Sequence, residues 1–293
     1  MGRSTRALNW LILILLAFIW GTSFILIKKG LESFNSFQIA SLRIFISFVF
    51  LLPIAIKNIK LLNRNNIGSF LIIGFIGSAF PAFLYPVAQT NTDSSVAGML
   101  NSLTPVFTLL FGIFFYSRKA RIHQVSGIII GFIGAAGLIY NGSFTFNLHG
   151  LYIVLATMFY GISSNQVAQL KNINGVIITS LAFLFIGPIA GINLLISDFS
   201  DAVQTAHWLR NLGYIAILSI FGSGLALVLF NILILRTNPV FASSVTYLIP
   251  IIATLWGIID SEAITPFMII SVICILVGVY LATRRAKKGK PVR

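Results

Sequence analysis

The sequence predicts an all-α integral membrane protein with ten transmembrane helices, arranged as two inverted five-helix repeats. Three observations predict it: an apolar composition, ten apolar runs of spanning length, and a weak self-similarity at a spacing of about 145 residues. Of 293 residues, 57% are hydrophobic and only 9% charged, with a mean hydropathy of +0.97, whereas soluble domains carry roughly 25% charge. A span takes about 20 apolar residues, so ten use about 200 and leave no room for an attached soluble catalytic or ATP-hydrolysing module. The single cysteine, Cys274, excludes an internal disulfide framework and a cysteine-based metal cluster.

The runs lie near 9–27, 36–56, 67–87, 94–116, 122–141, 149–168, 175–196, 209–234, 240–259 and 265–283. The first follows Arg3 and Arg6 but contains Trp10 and Trp20 and lacks a small-residue cleavage site before Lys28 and Lys29. It therefore reads as a retained span and not as a signal peptide. The second contains Arg43, the clearest charge inside any span. In the fifth, Gly127, Gly131 and Gly134 share one side and allow close backbone approach, within the monomer by default and across a homodimer as the alternative. Asn238-Pro239 and Thr265-Pro266 pair a side-chain cap with a first-turn proline, marking the starts of the ninth and tenth spans. The longest connection, about 197–208, is too short for a signalling domain.

The net charge of +14 would suggest nucleic acid in a soluble protein, so its distribution matters. With the N-terminus placed in the cytoplasm, sixteen of the 20 Lys and Arg fall inside, Lys28, Lys29 and Arg210 fall outside, and Arg43 lies within the membrane. All six acids, Glu32, Asp93, Asp198, Asp201, Asp260 and Glu262, fall outside or at outer helix ends. This asymmetry predicts a multi-pass protein of the cytoplasmic membrane with both termini cytoplasmic. The basic tail is then expected to meet anionic lipid of the inner leaflet, and no nucleic-acid partner is expected.

A shift of 145 positions superposes Gly77-Ser78 on Gly222-Ser223, Ala97 on Ala242, Leu103 on Leu248, Pro105 on Pro250 and Gly112 on Gly257. A shift of 140 places Trp20-Gly21 on Tyr160-Gly161. Each half holds five spans, an odd number, so the second half enters the membrane in the opposite sense. The halves are 1–142 and 143–293. The hexapeptide Ile-Ile-Gly-Phe-Ile-Gly, present at 72–77 and at 129–134, joins the third span to the fifth and reads as chance in a biased composition.

Trp20-Gly21-Thr22-Ser23-Phe24, Arg43, Leu103-Thr104-Pro105-Val106-Phe107, and Leu248-Ile249-Pro250 followed by Gly257 and Glu262 resemble the EamA-type branch of the drug/metabolite transporter superfamily. The resemblance covers about residues 9–284 and implies two inverted five-helix units around a central cavity, with efflux of small metabolites. One departure stands out. Where many relatives end the fourth span with a glycine-glutamate pair, this chain reads Tyr116-Ser117-Arg118-Lys119, and only the second half keeps the acid, as Glu262.

No phosphate-binding glycine loop, paired-histidine motif or nucleophile–base arrangement is found, so neither an enzyme nor a cofactor or metal is expected. Arg43, about seven residues inside its span, reads either as an anchor for a substrate carboxylate or as a structural donor to carbonyls freed by a bent neighbouring helix. Pro105 and Pro250 predict paired bends, as gating elements or as static kinks. Trp20, Ser23, Tyr85, Asn101, Tyr160, Asn165, Asn231, Thr246 and Tyr247 are candidates for a cavity lining, each with interhelical bonding or plain packing as the alternative. Trp20 pairs with Tyr160, Tyr85 with Phe230, and Asn101 with Thr246 in the repeat. No acid lies deep in a span, so transport is expected either to be facilitative or to couple to protons through Asp260 and Glu262. The expected function is export of a small organic metabolite such as an amino acid, a nucleobase or an amphipathic drug. A metabolite receptor without transport and a lipid flippase are the alternatives.

Overall fold

In hydrocarbon every backbone amide needs a partner within the protein, and a helix supplies one locally. The computed structural model describes residues 3–116, 122–140 and 148–283, and they fold into helices throughout. α1 is Arg3–Leu31 and α2 is Ser36–Asn58. α3 is composite, running from Ile67–Leu71 through a π-helical stretch, Ile72–Ala79, into Phe80–Gln89. α4 runs from Ser94–Leu100 through a 3₁₀ turn, Asn101–Leu103, into Thr104–Tyr116. α5 is Ile122–Tyr140, α6 is His149–Val167 and α7 is Gly175–Ile196. α8 repeats the plan of α3: Trp208–Ile217, a π stretch Leu218–Leu225, and Ala226–Arg236. α9 repeats the plan of α4: Pro239–Ser243, a 3₁₀ turn Ser244–Tyr247, and Ile249–Ile259. α10 is Pro266–Thr283.

Among the described residues, eight helices are long and apolar enough to cross a membrane: α1 to α5 and α7 to α9. α6 and α10 occupy the positions of the sixth and tenth expected spans. The cations Arg118, Lys119 and Arg121, the tail from Arg284, and the boundary between the two expected halves lie outside the described residues.

Local sequence explains several helix starts. The Asn35 side chain accepts from the Gln38 amide while Gln38 reaches back to the Asn35 amide, a reciprocal cap on α2. Asn238 caps α9 by accepting from the Phe241 amide, and Pro239 sits in the first turn, where its missing donor costs nothing. Stretch 197–208, expected as a plain connection, contains a short helix, Ser200–Gln204, because Ala202 packs with Phe34, Ile39 and Ile215. Pro105 and Pro250 each stand just after a 3₁₀ turn, in the first turn of the helical segment that follows.

Helix contacts come in matched pairs. α1 packs on α9 as α6 packs on α4; α2 packs on α8 as α7 packs on α3; α8 packs on α1 as α3 packs on α6. α7 packs on α8 as α2 packs on α3, and the pairs α2 with α7, α4 with α9 and α5 with α10 map onto themselves, whereas the packing of α4 on α10 has no α5–α9 counterpart of similar extent. In lipid such contacts depend on close van der Waals packing, because the tails are as apolar as leucine. The glycine side of α5 meets α10: a Cβ built on Gly278 would lie 2.6 Å from the Gly127 carbonyl oxygen and would also strike the Gly131 amide. Leu11, Ile14, Phe18, Ile192, Leu195 and Ile273 stand exposed on the bundle surface, which suits hydrocarbon and would be a liability in water.

Candidate functional site

At the centre, α1, α2, α3, α4, α6, α8 and α9 leave a cavity with about 50 Å³ of room for water centres, enough for a few waters. Seven of the residues expected from the sequence to line a cavity do so: Trp20, Ser23, Arg43, Tyr85, Asn101, Tyr160 and Thr246. Phe24, Ile27, Thr104, Leu227, Phe230, Ser243 and Val245 complete the wall. Two smaller cavities adjoin it, and Tyr160 and Leu227 line all three.

The π stretches explain how polar groups meet here. A π turn shifts the backbone bonding from four residues to five and leaves carbonyls open to side chains. In α8 the Gly222 carbonyl accepts from Trp20 Nε1 at 2.9 Å, and the Ser219 carbonyl accepts from Ser47 Oγ at 2.8 Å. Arg43 Nε donates to Ser223 Oγ at 2.5 Å. Arg43 is only 7% exposed, and all six acids are among the described residues, yet none lies within 4.0 Å of its guanidinium. Among the described residues its charge therefore has no carboxylate partner, an unfavourable state for a buried cation unless something anionic or water joins it.

Opposite Arg43, the Tyr85 hydroxyl donates to Asn101 Oδ1 at 2.5 Å, and the Tyr85 and Tyr160 rings stack at 6.1 Å. Trp20 meets Phe230 edge-on at 5.0 Å, and Phe24 meets Tyr85 at 5.6 Å. These spacings fall within the range of favourable aromatic pairs. Asn231 lines the second cavity and donates to Thr179 Oγ1 at 3.0 Å. Asn165 lines none of the three cavities. Its Nδ2 donates to the Thr108 and Gly161 carbonyls, at 2.8 and 2.9 Å, and ties α6 to α4. Tyr247 also lies outside the three cavities, half-buried against the apolar core.

The acidic end of the bundle holds a second cluster. Lys28 Nζ bridges Asp260 Oδ2 at 2.7 Å and Glu262 Oε1 at 2.8 Å, while Lys29 joins Asp260 Oδ1 at 2.6 Å and Glu32 at 2.9 Å. Glu262 also accepts from the Ser94 amide, the Ser94 hydroxyl and the Ser95 amide, at 2.9, 2.7 and 3.0 Å. It caps α4 from a distance, since Asp93 holds the N-cap position but makes no side-chain cap. Anionic charge at a helix N-terminus is favourable. Burial works to raise the Glu262 carboxyl, but the bonds from Lys28, Ser95 and Ser94 outweigh it and hold the group down to about 2. Asp260 is lowered as well, Lys28 and Lys29 together overcoming its burial, whereas burial and the neighbouring Glu262 charge push Asp93 up. The charge asymmetry of the sequence places Lys28, Lys29 and these acids at one end, and their opposite signs are the only trace there of the pairing.

A multi-pass helical bundle whose helices enclose a largely apolar, aromatic-walled cavity with a few polar groups has the architecture of a membrane transporter. The chain belongs to the EamA-like transporter family, whose model matches it twice, over residues 8–140 and 148–284. It is 25% identical over 243 residues to the uncharacterized inner membrane transporter YedA of Escherichia coli strain K12, covering 82% of this chain and 78% of that one. It is 26% identical to an uncharacterized transporter of Archaeoglobus fulgidus over 282 residues, 94% of this chain and 99% of the relative. A crystal structure 17% identical in sequence superposes with a TM-score of 0.65, covering 94% of this chain and 96% of that one, a likeness of fold.

Proposed function

We propose that this protein is a secondary transporter that moves a small organic solute outward across the cytoplasmic membrane, by alternating access between two inverted five-helix repeats, 1–142 and 143–293. The observation that carries this reading is that all three repeat-equivalent pairs, Trp20 with Tyr160, Tyr85 with Phe230, and Asn101 with Thr246, line one cavity. The double family match, the matched helix contacts and the twin π stretches at 72–79 and 218–225 support the same reading. A site built equally from two halves opens to either side as one half rocks against the other.

The cationic end faces the cytoplasm and the acidic end faces out, in keeping with the charge asymmetry. Asp260 and Glu262 then act as the fixed anions of an outer latch, joined to α1 through Lys28 and Lys29. A carboxyl held at about 2 stays ionised at physiological pH while the latch is closed, so a proton is not its cargo in this state. Pro105 and Pro250 start the helical segments that swing beyond the 3₁₀ turns.

Flux through the purified protein in liposomes, screened over amino acids, nucleobases and aromatic acids, tests this function. Saturable protein-dependent flux of at least one solute is the expected result. Saturable binding without flux of any solute would replace the transporter with a receptor.

A further inference from the structure

We propose that the transported solute is a monoanion with a flat apolar body, such as an aryl carboxylate, carried without a proton so that the inside-negative membrane potential drives it outward. This inference rests on the transporter reading above. Arg43 lines both the main cavity and the third one, and its Nε is occupied by Ser223 Oγ. No carboxylate of the described residues lies within 4.0 Å of it, and every acid belongs to the acidic end. An anion that meets the guanidinium supplies the charge the chain withholds, through a two-pronged bond that an ammonium or a neutral amide lacks.

The rest of the wall discriminates further. Beside Arg43 it offers hydroxyls of Ser23, Tyr85, Thr104 and Thr246, the Asn101 amide and aromatic faces, and no acid. A zwitterionic amino acid would leave its ammonium without a counter-charge in a site largely shielded from water, which works against it. The rings of Trp20, Phe230, Tyr85 and Tyr160 all belong to this wall and give an aromatic body apolar faces and edges to pack against. The present cavity holds only a few waters, so a solute of this size is held only when the helices around it move apart. With no acid on the wall to exchange a proton, each anion that crosses moves one net charge. A potential of 100 mV, inside negative, then sustains about a 50-fold outward ratio at equilibrium.

The test uses the full chain in liposomes under a potassium–valinomycin potential, with indole-3-acetate as probe, indole-3-acetamide as its neutral analogue and tryptophan as the zwitterion. Binding is measured in parallel in detergent by calorimetry, and protein-free vesicles correct for leakage. Indole-3-acetate is expected to bind and move at least 10-fold better than the other two, with flux that reverses with the potential and ignores a pH gradient. Arg43→Lys should keep weakened binding, and Arg43→Gln should lose at least 30-fold. Should Arg43→Gln fail to fold, the wild-type comparison of the three probes under potential decides alone. Equal transport of tryptophan or the acetamide, or flux indifferent to the potential, would overturn the anion inference and leave the transporter intact. Binding of indole-3-acetate without flux would overturn transport and keep the ligand class; absence of both would overturn the inference.

Discussion

Glu262→Ala is expected to cost the folded protein about 2–5 kcal/mol, chiefly from two stranded amides of α4, with a smaller share from the ion pair because Lys28 is 31% exposed. The side chain is 1% exposed and serves Lys28 and the first two amides of α4 at once. Alanine strands both amides and removes one of the two carboxylates on Lys28, and each stranded buried donor costs about 1–3 kcal/mol. Glu262→Gln keeps an acceptor oxygen but not the charge, so it should fall between alanine and wild type. The pH dependence has a definite sign. The carboxyl lies at about 2 in the fold against 4.5 ordinarily, so its stabilisation is complete above about 4.5 and fades as pH falls towards 2. Thermal unfolding in detergent should show wild type well above Glu262→Gln at pH 7, with the gap narrowing below pH about 4.5. Equal melting of wild type and the alanine variant at pH 7 would show that the latch carries no energy.

Gly278→Leu is expected to be nearly as damaging. A Cβ there would enter the backbone of α5, striking the Gly131 amide and lying 2.6 Å from the Gly127 oxygen. Backbone cannot turn aside as a side chain can, so α10 must move away bodily. Overpacking typically costs about 1–3 kcal/mol, and this site belongs at the upper end. The α5–α10 contact is the most extensive in the bundle, so its loss should lower both the melting temperature and the yield of monodisperse protein. Gly278→Leu protein that melts with wild type would mean that α10 does not pack as described.

Much of this is legible in the sequence because membrane helices are written as long apolar runs. All ten expected runs are helical where described, most ends falling within a few residues of those expected, although α1 starts six residues earlier, at Arg3. The site is half legible. Polar residues in hydrocarbon need partners, and that requirement singles out seven of the residues that line the cavity. It does not say which partner, so Asn165 joins the candidates although its amide serves the α4 backbone.

The π stretches are hidden for a different reason. Ile-Ile-Gly-Phe-Ile-Gly is π-helical at 72–77 and ordinary α-helix at 129–134. These six residues therefore do not decide the π form by themselves, and their surroundings do. The trace in the sequence is that Gly77-Ser78 and Gly222-Ser223 recur at one spacing, which marks the two places where a neighbouring helix presses in. The latch escapes a linear reading because Lys28 and Glu262 lie 234 residues apart, a pairing that only the folded bundle creates.

Alternating access requires that one cavity be reached in turn from both sides of the membrane. Ser23 lines that cavity, is 6% exposed and donates within its own helix, to the Ile19 carbonyl. In a Cys274→Ala background, Ser23→Cys in oriented membrane vesicles can be labelled with a charged thiol reagent applied to either face. Labelling is expected from both faces, each slowed by a transported solute. Labelling of the folded protein from one face only, whatever the solute, would contradict alternating access.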